Sequence, residues 1–122
     1  MKTETNTQTE QRFLRFLGLA RRAGKTVHGT PLICTALATK KPPYLVIMSL
    51  GASESTQKKL RNKCLFYKVP LVTTEADTEA LAHAVGKTGA MAAVAVTDES
   101  FAAELCKINA LRKESSPVGD QG

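Results

Sequence analysis

Residues 44–48 read Tyr-Leu-Val-Ile-Met, five apolar side chains without a polar break. A strand with one wet face alternates apolar and polar residues. A short unbroken run with β-branched content instead predicts a strand covered on both faces, as in sheets with helices on either side. Few folds accommodate such a strand, and the rest of the chain supplies what it requires. Apolar positions Phe13, Leu14, Phe16, Leu17, Leu19 and Ala20 recur at helical spacing over about residues 10–23, with Arg12, Arg15, Arg21 and Arg22 on the other side and Gly24 as stop. A short strand at Thr26–His28 follows, then a helix from about Thr30 to Ala38, with Ile33, Leu37 and either Leu32 or Ala36 inward. Lys40-Lys41-Pro42-Pro43 ends that helix.

Beyond the central strand, Gly51-Ala52-Ser53 makes a turn, and Ser53 or Ser55 caps a helix reaching about Tyr67. Leu60, Cys64 and one of Phe66 or Tyr67 face inward there, and Lys58, Lys59, Arg61 and Lys63 face out. Val69–Thr73 is a strand placed early or at an edge by Pro70. A helix spans about 77–85, stopped by Gly86. Ala90–Val96 is a small-residue strand suited to tight burial. A last helix, capped by Thr97 or Asp98, turns Phe101, Leu105, Ile108 and Leu111 inward. Strands alternating with helices predict an α/β fold, a three-layer α/β/α sandwich around a four-stranded mixed sheet. The strand order does not follow from the pattern. The expected single domain covers 10–112, with 1–9 and 113–122 as flexible tails.

The 122 residues, 43% hydrophobic and 23% charged, suit one globular domain. No apolar run approaches a membrane span and the N-terminus has no secretory character, so no membrane partner is expected. Cys34, Cys64 and Cys106 are odd in number, widely spaced and without a C-x-x-C pair. They predict neither a disulfide framework nor a zinc site, and favour a cytoplasmic location.

The net charge of +6 is unevenly spread. Residues 12–68 hold twelve Lys and Arg against one acid, Glu54, a local net of +11, while the remainder is net −5. Such a segment predicts a face for a polyanion. Aromatic residues are few and Trp is absent, so stacking of bases on an aromatic platform is not the expected mode. No G-x-G-x-x-G or G-x-x-x-x-G-K-[ST] occurs, and His28 and His83 have no Cys or acid at metal spacing. The acids at 75–79 and 98–99 fall at helix starts, where they complement the helix dipole. No catalytic residue, metal or cofactor is expected.

One joint suits phosphate. Gly29 precedes a helix start whose first N–H groups have no partner inside the helix and carry partial positive charge. Thr30 is a candidate cap and Pro31 fits the first turn. Arg21, Arg22 and Lys25 lie just upstream, and His28 is either an ordinary strand-end histidine or a phosphate contact.

The run Leu17-Gly18-Leu19-Ala20-Arg21-Arg22-Ala23-Gly24-Lys25, followed in order by His28-Gly29, Tyr44–Ile47, Ala52-Ser53-Glu54, Lys63-Cys64, Val69-Pro70-Leu71, Val85-Gly86 and Ala93–Val96, resembles the kink-turn-binding ribosomal protein family, the L-seven-A-e and L-thirty-e group, and within it the small bacterial branch. The resemblance covers about residues 10–108. It implies the same sandwich, no enzymatic activity, and binding of structured RNA through the start of helix two and the loop before the last strand. The family's motif there carries Gly, Asn, Glu and Lys. Its Gly falls on Gly29, and the other three fall on Pro31, Leu32 and Thr35. Asn and Glu read base edges and Lys meets phosphate, roles these replacements do not fill. Losing a base-discriminating contact costs roughly 1–3 kcal/mol, so recognition by RNA backbone and shape is expected in place of side-chain reading of a kink-turn.

The expected protein is therefore a non-catalytic, monomeric RNA binder, of ribosomal RNA or another kinked stem-loop, with the ribosome among its expected partners. It would use Arg21, Arg22, Lys25, His28, Gly29, Thr30, Pro31, Leu32 and Thr35 with Gly89, Ala90 and Met91 from the neighbouring loop. The competing expectation is a protein-interaction module that kept the fold and lost RNA recognition.

Overall fold

The computed structural model describes residues 6–114, with side chains for 8–111. In chain order the elements are α1 (Asn6–Arg22), β1 (Thr26–His28), α2 (Thr30–Leu37), β2 (Leu45–Ser49), α3 (Glu54–Tyr67), β3 (Leu71–Thr74), α4 (Thr78–Ala84), β4 (Ala93–Val96) and α5 (Glu99–Glu114). The sheet order is β1-β4-β2-β3. β4 runs antiparallel to β1 and to β2, while β2 and β3 are parallel, so the expected mixed sheet forms.

β2 is buried at every position, as its unbroken apolar run requires. Its alternate residues serve opposite layers. Leu45 and Ile47, with Val94 and Val96 of β4, meet Phe13 and Leu17 of α1, Leu81 and Val85, and Leu105 and Ile108 of α5. Val46 and Met48, with Ala93 and Ala95, meet Ile33 and Leu37 of α2, Leu60 and Cys64 of α3, and Val69. The alanines of β4 face the side on which α2 packs directly against that strand, where small side chains permit close approach. β3 is an edge strand, as Pro70 foretold.

Three details depart from the sequence expectations. α1 begins at Asn6, four residues before the expected start, and buries Thr9, so 6–9 belong to the helix and not to a tail. Residues 113–114 of the other expected tail likewise belong to α5, and the rest of the two tails, 1–5 and 115–122, lies outside the described residues. Of the two residues left open at the end of α3, Tyr67 takes the inward place that follows Leu60 and Cys64 at helical spacing, as one alternative had it, leaving Phe66 76% exposed. Leu111 is also largely out of the core, one turn past Ile108, the last buried residue of α5.

Buried polar groups knit the end of the sheet at which β2 and β3 finish. The Ser49 hydroxyl donates to the Ala76 carbonyl at 2.7 Å and accepts from the Gly51 N–H at 3.0 Å. The Thr74 hydroxyl donates to the Glu10 carboxylate and accepts from the Ala76 N–H. Each satisfied bond avoids the ~1–3 kcal/mol cost of an unpaired buried polar group.

Gly18 is set by packing. A Cβ there would lie 2.9 Å from the Ala84 carbonyl oxygen, a backbone atom of α4 that cannot swing aside. An alanine in mid-helix is ordinarily worth about 1 kcal/mol over glycine. Gly18→Ala is expected to reverse that sign and destabilise by about 1–3 kcal/mol in urea titration, because α1 and α4 must separate. A stabilised variant would show that the two helices tolerate the separation.

Candidate nucleic-acid interface

β1 ends at His28, and Gly29 turns the chain into α2 with φ 90° and ψ 144°. That left-handed φ favours glycine. Its N–H donates to the Ala93 carbonyl (3.2 Å) and its carbonyl accepts from the Ile33 N–H (3.0 Å), so the turn is tied to the start of β4. Gly29 is the N-cap residue, with no side-chain bond to the helix start. Thr30 does not cap, contrary to expectation, because it is already the first helical residue. The starts of α3, α4 and α5 are closed: Ser53 accepts from the Thr56 N–H, Asp77 from the Ala80 N–H and Asp98 from the Phe101 N–H. α2 thus keeps the open, partially positive terminus that an anion fits.

The antiparallel pairing of β1 with β4 sets the loop before β4 beside this terminus. Lys87, Thr88, Gly89 and Ala90 are exposed in it, and Gly89 adopts φ 87°. Met91 is only half available, since it packs against the α1/α4/α5 core and its N–H donates to the Thr78 carbonyl (2.9 Å).

Thr26 and His28 pair with Val96 and Val94, so their side chains lie on the α1/α4 side of the sheet. The Thr26 hydroxyl and His28 Nε2 are 2.8 Å apart. The Arg21 guanidinium lies against Gly86, where an added Cβ would stand 3.3 Å from Nη1. His28 is held below its usual 6.5 by burial first, then by the positive charges of Lys87 and Arg21. The positive charges of Lys87 and Arg21 therefore both reach a His28 that is kept neutral at pH 7. Sequence reasoning missed Lys87, which stands outside the basic segment. The available signal was its place between Gly86 and Gly89, in a loop already assigned to the site.

The remaining expected residues divide. Arg22 is exposed at the rim of a cavity of ≈ 500 Å³ between α1 and α4, floored by Leu14 and Val85. Lys25 is not brought to the helix start. Its carbonyl accepts from the Thr97 N–H at the opposite end of β1, roughly 13 Å of extended chain from Gly29. Pro31 and Leu32 are exposed on the first turn of α2. The Thr35 hydroxyl donates back to the Pro31 carbonyl at 3.1 Å. Leu32, 61% exposed, is not one of the core residues of α2; Ile33 and Leu37 are.

No group of three or more metal-ligating residues gathers among the described residues. The Cys64 thiol is pushed up to about 11 by burial and by Cys34, so it stays protonated and unreactive at neutral pH.

Comparison with known proteins agrees with this geometry. The chain is 39% identical over 92 residues to the RNA-binding protein YlxQ of Bacillus subtilis, covering 75% of this chain and 89% of the relative. It is 32% identical over 82 residues to the protein of the same name from Enterococcus faecium, covering 67% and 78%. A solved structure of a Bacillus halodurans protein of unknown function superposes with a TM-score of 0.73 at 31% identity, over 79% of this chain and 94% of the other. The Giardia lamblia 15.5kD RNA binding protein shares the fold at a TM-score of 0.70 and 14% identity, over 95% and 94%. A family model matches residues 11–106, from α1 through β4 into α5, and the chain accordingly belongs to the ribosomal protein L7Ae/L30e/S12e/Gadd45 family.

Proposed function

We propose that the chain binds structured RNA without catalysing a reaction on it, holding the backbone between the start of α2 and the loop before β4. The observation that carries this reading is the uncapped α2 terminus beside Arg21, His28 and Lys87. The acid-poor basic segment and the relatives named as RNA-binding proteins support it. Phosphate would meet the open N–H groups and the cations. With Pro31, Leu32 and Thr35 on the first turns, base edges find no Asn, Glu or Lys to read them. Selection among RNAs then falls to shape, with ribosomal RNA or another kinked stem-loop as the target class, and a monomer in the cytoplasm, on or off the ribosome, as the working form.

A second reading has one specific observation behind it. Leu32 is exposed at the helix start, where it suits an apolar protein surface better than a phosphate. A partner retained through this face after nuclease treatment would favour that reading.

The deciding experiment measures affinity for a kinked stem-loop and for an unkinked duplex at two salt concentrations. Both are expected to bind, weakening steeply with salt, and Arg21→Ala or Lys87→Ala should each lower the slope of log affinity against log salt by about 1. A clear preference for the kinked RNA would mean that the Gly29 turn selects by shape. Salt-insensitive binding, or none, overturns the proposal.

His28 provides a second readout. Its depressed pKa means that the unfolded chain binds the proton more readily. The stability His28 contributes is therefore present above about 6.5 and lost as the pH falls through the folded value. A bound phosphate offsets the repulsion from Lys87 and Arg21, so the His28 pKa, followed by NMR, is expected to rise in the RNA complex. RNA affinity then strengthens on acidification while fold stability weakens, and His28→Gln should flatten both trends. An unmoved His28 would place the phosphate elsewhere.

A further inference from the structure

Seven of the twelve cations of residues 12–68 follow α2, at 40–41, 58–63 and 68, and the site above uses none of them. The topology gathers them. β1, β2 and β3 point the same way, so α2 and α3, which follow β1 and β2, run back together and end where β2 and β3 begin. This end is separated from the Gly29 turn by the eight residues of α2, a rise of roughly 12 Å.

A groove of ≈ 290 Å³ opens there, lined by Lys40, Lys41, Tyr44, Tyr67, Lys68 and a run of prolines. Phe66 extends it, its ring edge-on to Tyr67 at 4.9 Å between centroids. Phe66 is 76% exposed, its neighbour Leu65 79%, and Tyr44 44%. Residues three and four apart on a helix stand above one another, so Lys59 and Lys63 line up with Phe66, and Lys58 and Arg61 with Leu65. Three of the six Phe and Tyr residues thus meet at one end of the molecule, which the sequence-based expectation against stacking did not foresee.

Lys68 stops α3 with φ 61°, a left-handed conformation that glycine adopts without strain, so a cation is kept where glycine would be more stable. Glu54, the one acid of the segment, is at the far end of α3. Asp98 follows β4 at the groove's end of the sheet, but its carboxylate is committed to the Phe101 N–H. Exposed aromatic rings among unpaired cations match a strand of unpaired nucleotides, whose bases stack while their phosphates meet lysines. An apolar protein partner would leave the lysines facing nothing of opposite sign.

We infer that the shared C-terminal end of α2 and α3 is a second RNA surface, which stacks unpaired bases on Phe66 and Tyr44 and holds the adjoining phosphates on Lys40, Lys41 and Lys68. It does not rest on the Gly29 site.

The test uses the full chain with two separate probes, a short oligouridine strand and a kinked stem-loop without unpaired tails. Phe66→Ala with Tyr44→Ala, and separately Lys40→Glu with Lys41→Glu, are expected to weaken oligouridine binding at least about fivefold. Stem-loop affinity should be unchanged by the aromatic pair, and both variants should keep the parent circular-dichroism spectrum and melting temperature, since the altered side chains are exposed. Ultraviolet irradiation of the oligouridine complex should crosslink uridine to Phe66 or Tyr44. Oligouridine affinity that ignores both variants overturns the inference. So does absence of oligouridine binding together with a nuclease-resistant protein complex abolished by Phe66→Ala, which would assign the face to a protein. Stem-loop binding that ignores Arg21→Ala and Lys87→Ala would sink the Gly29 proposal and leave this one standing.

Discussion

The pairing of β2 with β4 at the centre of the sheet is the constraint on which everything else hangs. In the register Leu45↔Val96, Val46↔Ala95, Ile47↔Val94 and Met48↔Ala93, every side chain of both strands is buried, and residues facing one another serve the same layer. A slip of one residue would carry larger side chains to the α2/α3 side and alanines to the other, opening voids in one core and crowding the second. The register also fixes where the candidate site lies. Because β4 opposes β1 as well, its first residue, Ala93, lies beside Gly29, and the loop before it joins the start of α2.

Around that core the molecule divides its charge. Acids close helix starts at Asp77 and Asp98 and complement α3 at Glu54. α2 has no such group, only a glycine with a left-handed φ. An N-capping side chain typically contributes about 1 kcal/mol, so an open start is a stability cost accepted at α2 and avoided at α3, α4 and α5. Arg21 and Lys87, whose charges reach His28, likewise have no ion-pair partner among the described residues.

Much of this was legible in the sequence. The buried central strand, the alternation of helices and strands, the glycine turn into α2 and the edge position of β3 all follow from local pattern, because hydrophobic period, Pro and Gly act over a few residues. The misses share a cause in contacts between distant segments. Thr9 is buried by packing that its polar neighbours conceal. Leu111 keeps the helical spacing of Ile108 but lies past the edge of the core that the other helices supply. Lys25 is near Gly29 in sequence but at the other end of an extended strand, while the charge of Lys87, nearly sixty residues away, reaches His28 across the fold.

The sequence by itself determined that this chain must build a sheet covered on both faces, that residues 12–68 carry a net charge of +11, and that Asn, Glu and Lys are absent from the first turns of α2. Those are properties of residue type and spacing, and they survive any arrangement of the parts. Only the tertiary structure decided which cations act together. Strand order and direction place His28 beside the loop before β4 at one end of the sheet, and Lys40, Lys41 and Lys68 with Phe66 and Tyr44 at the other. The physical reason is range: propensity and periodicity act within a turn of helix or a pair of strand residues, whereas a binding surface is made by groups that chain topology brings together.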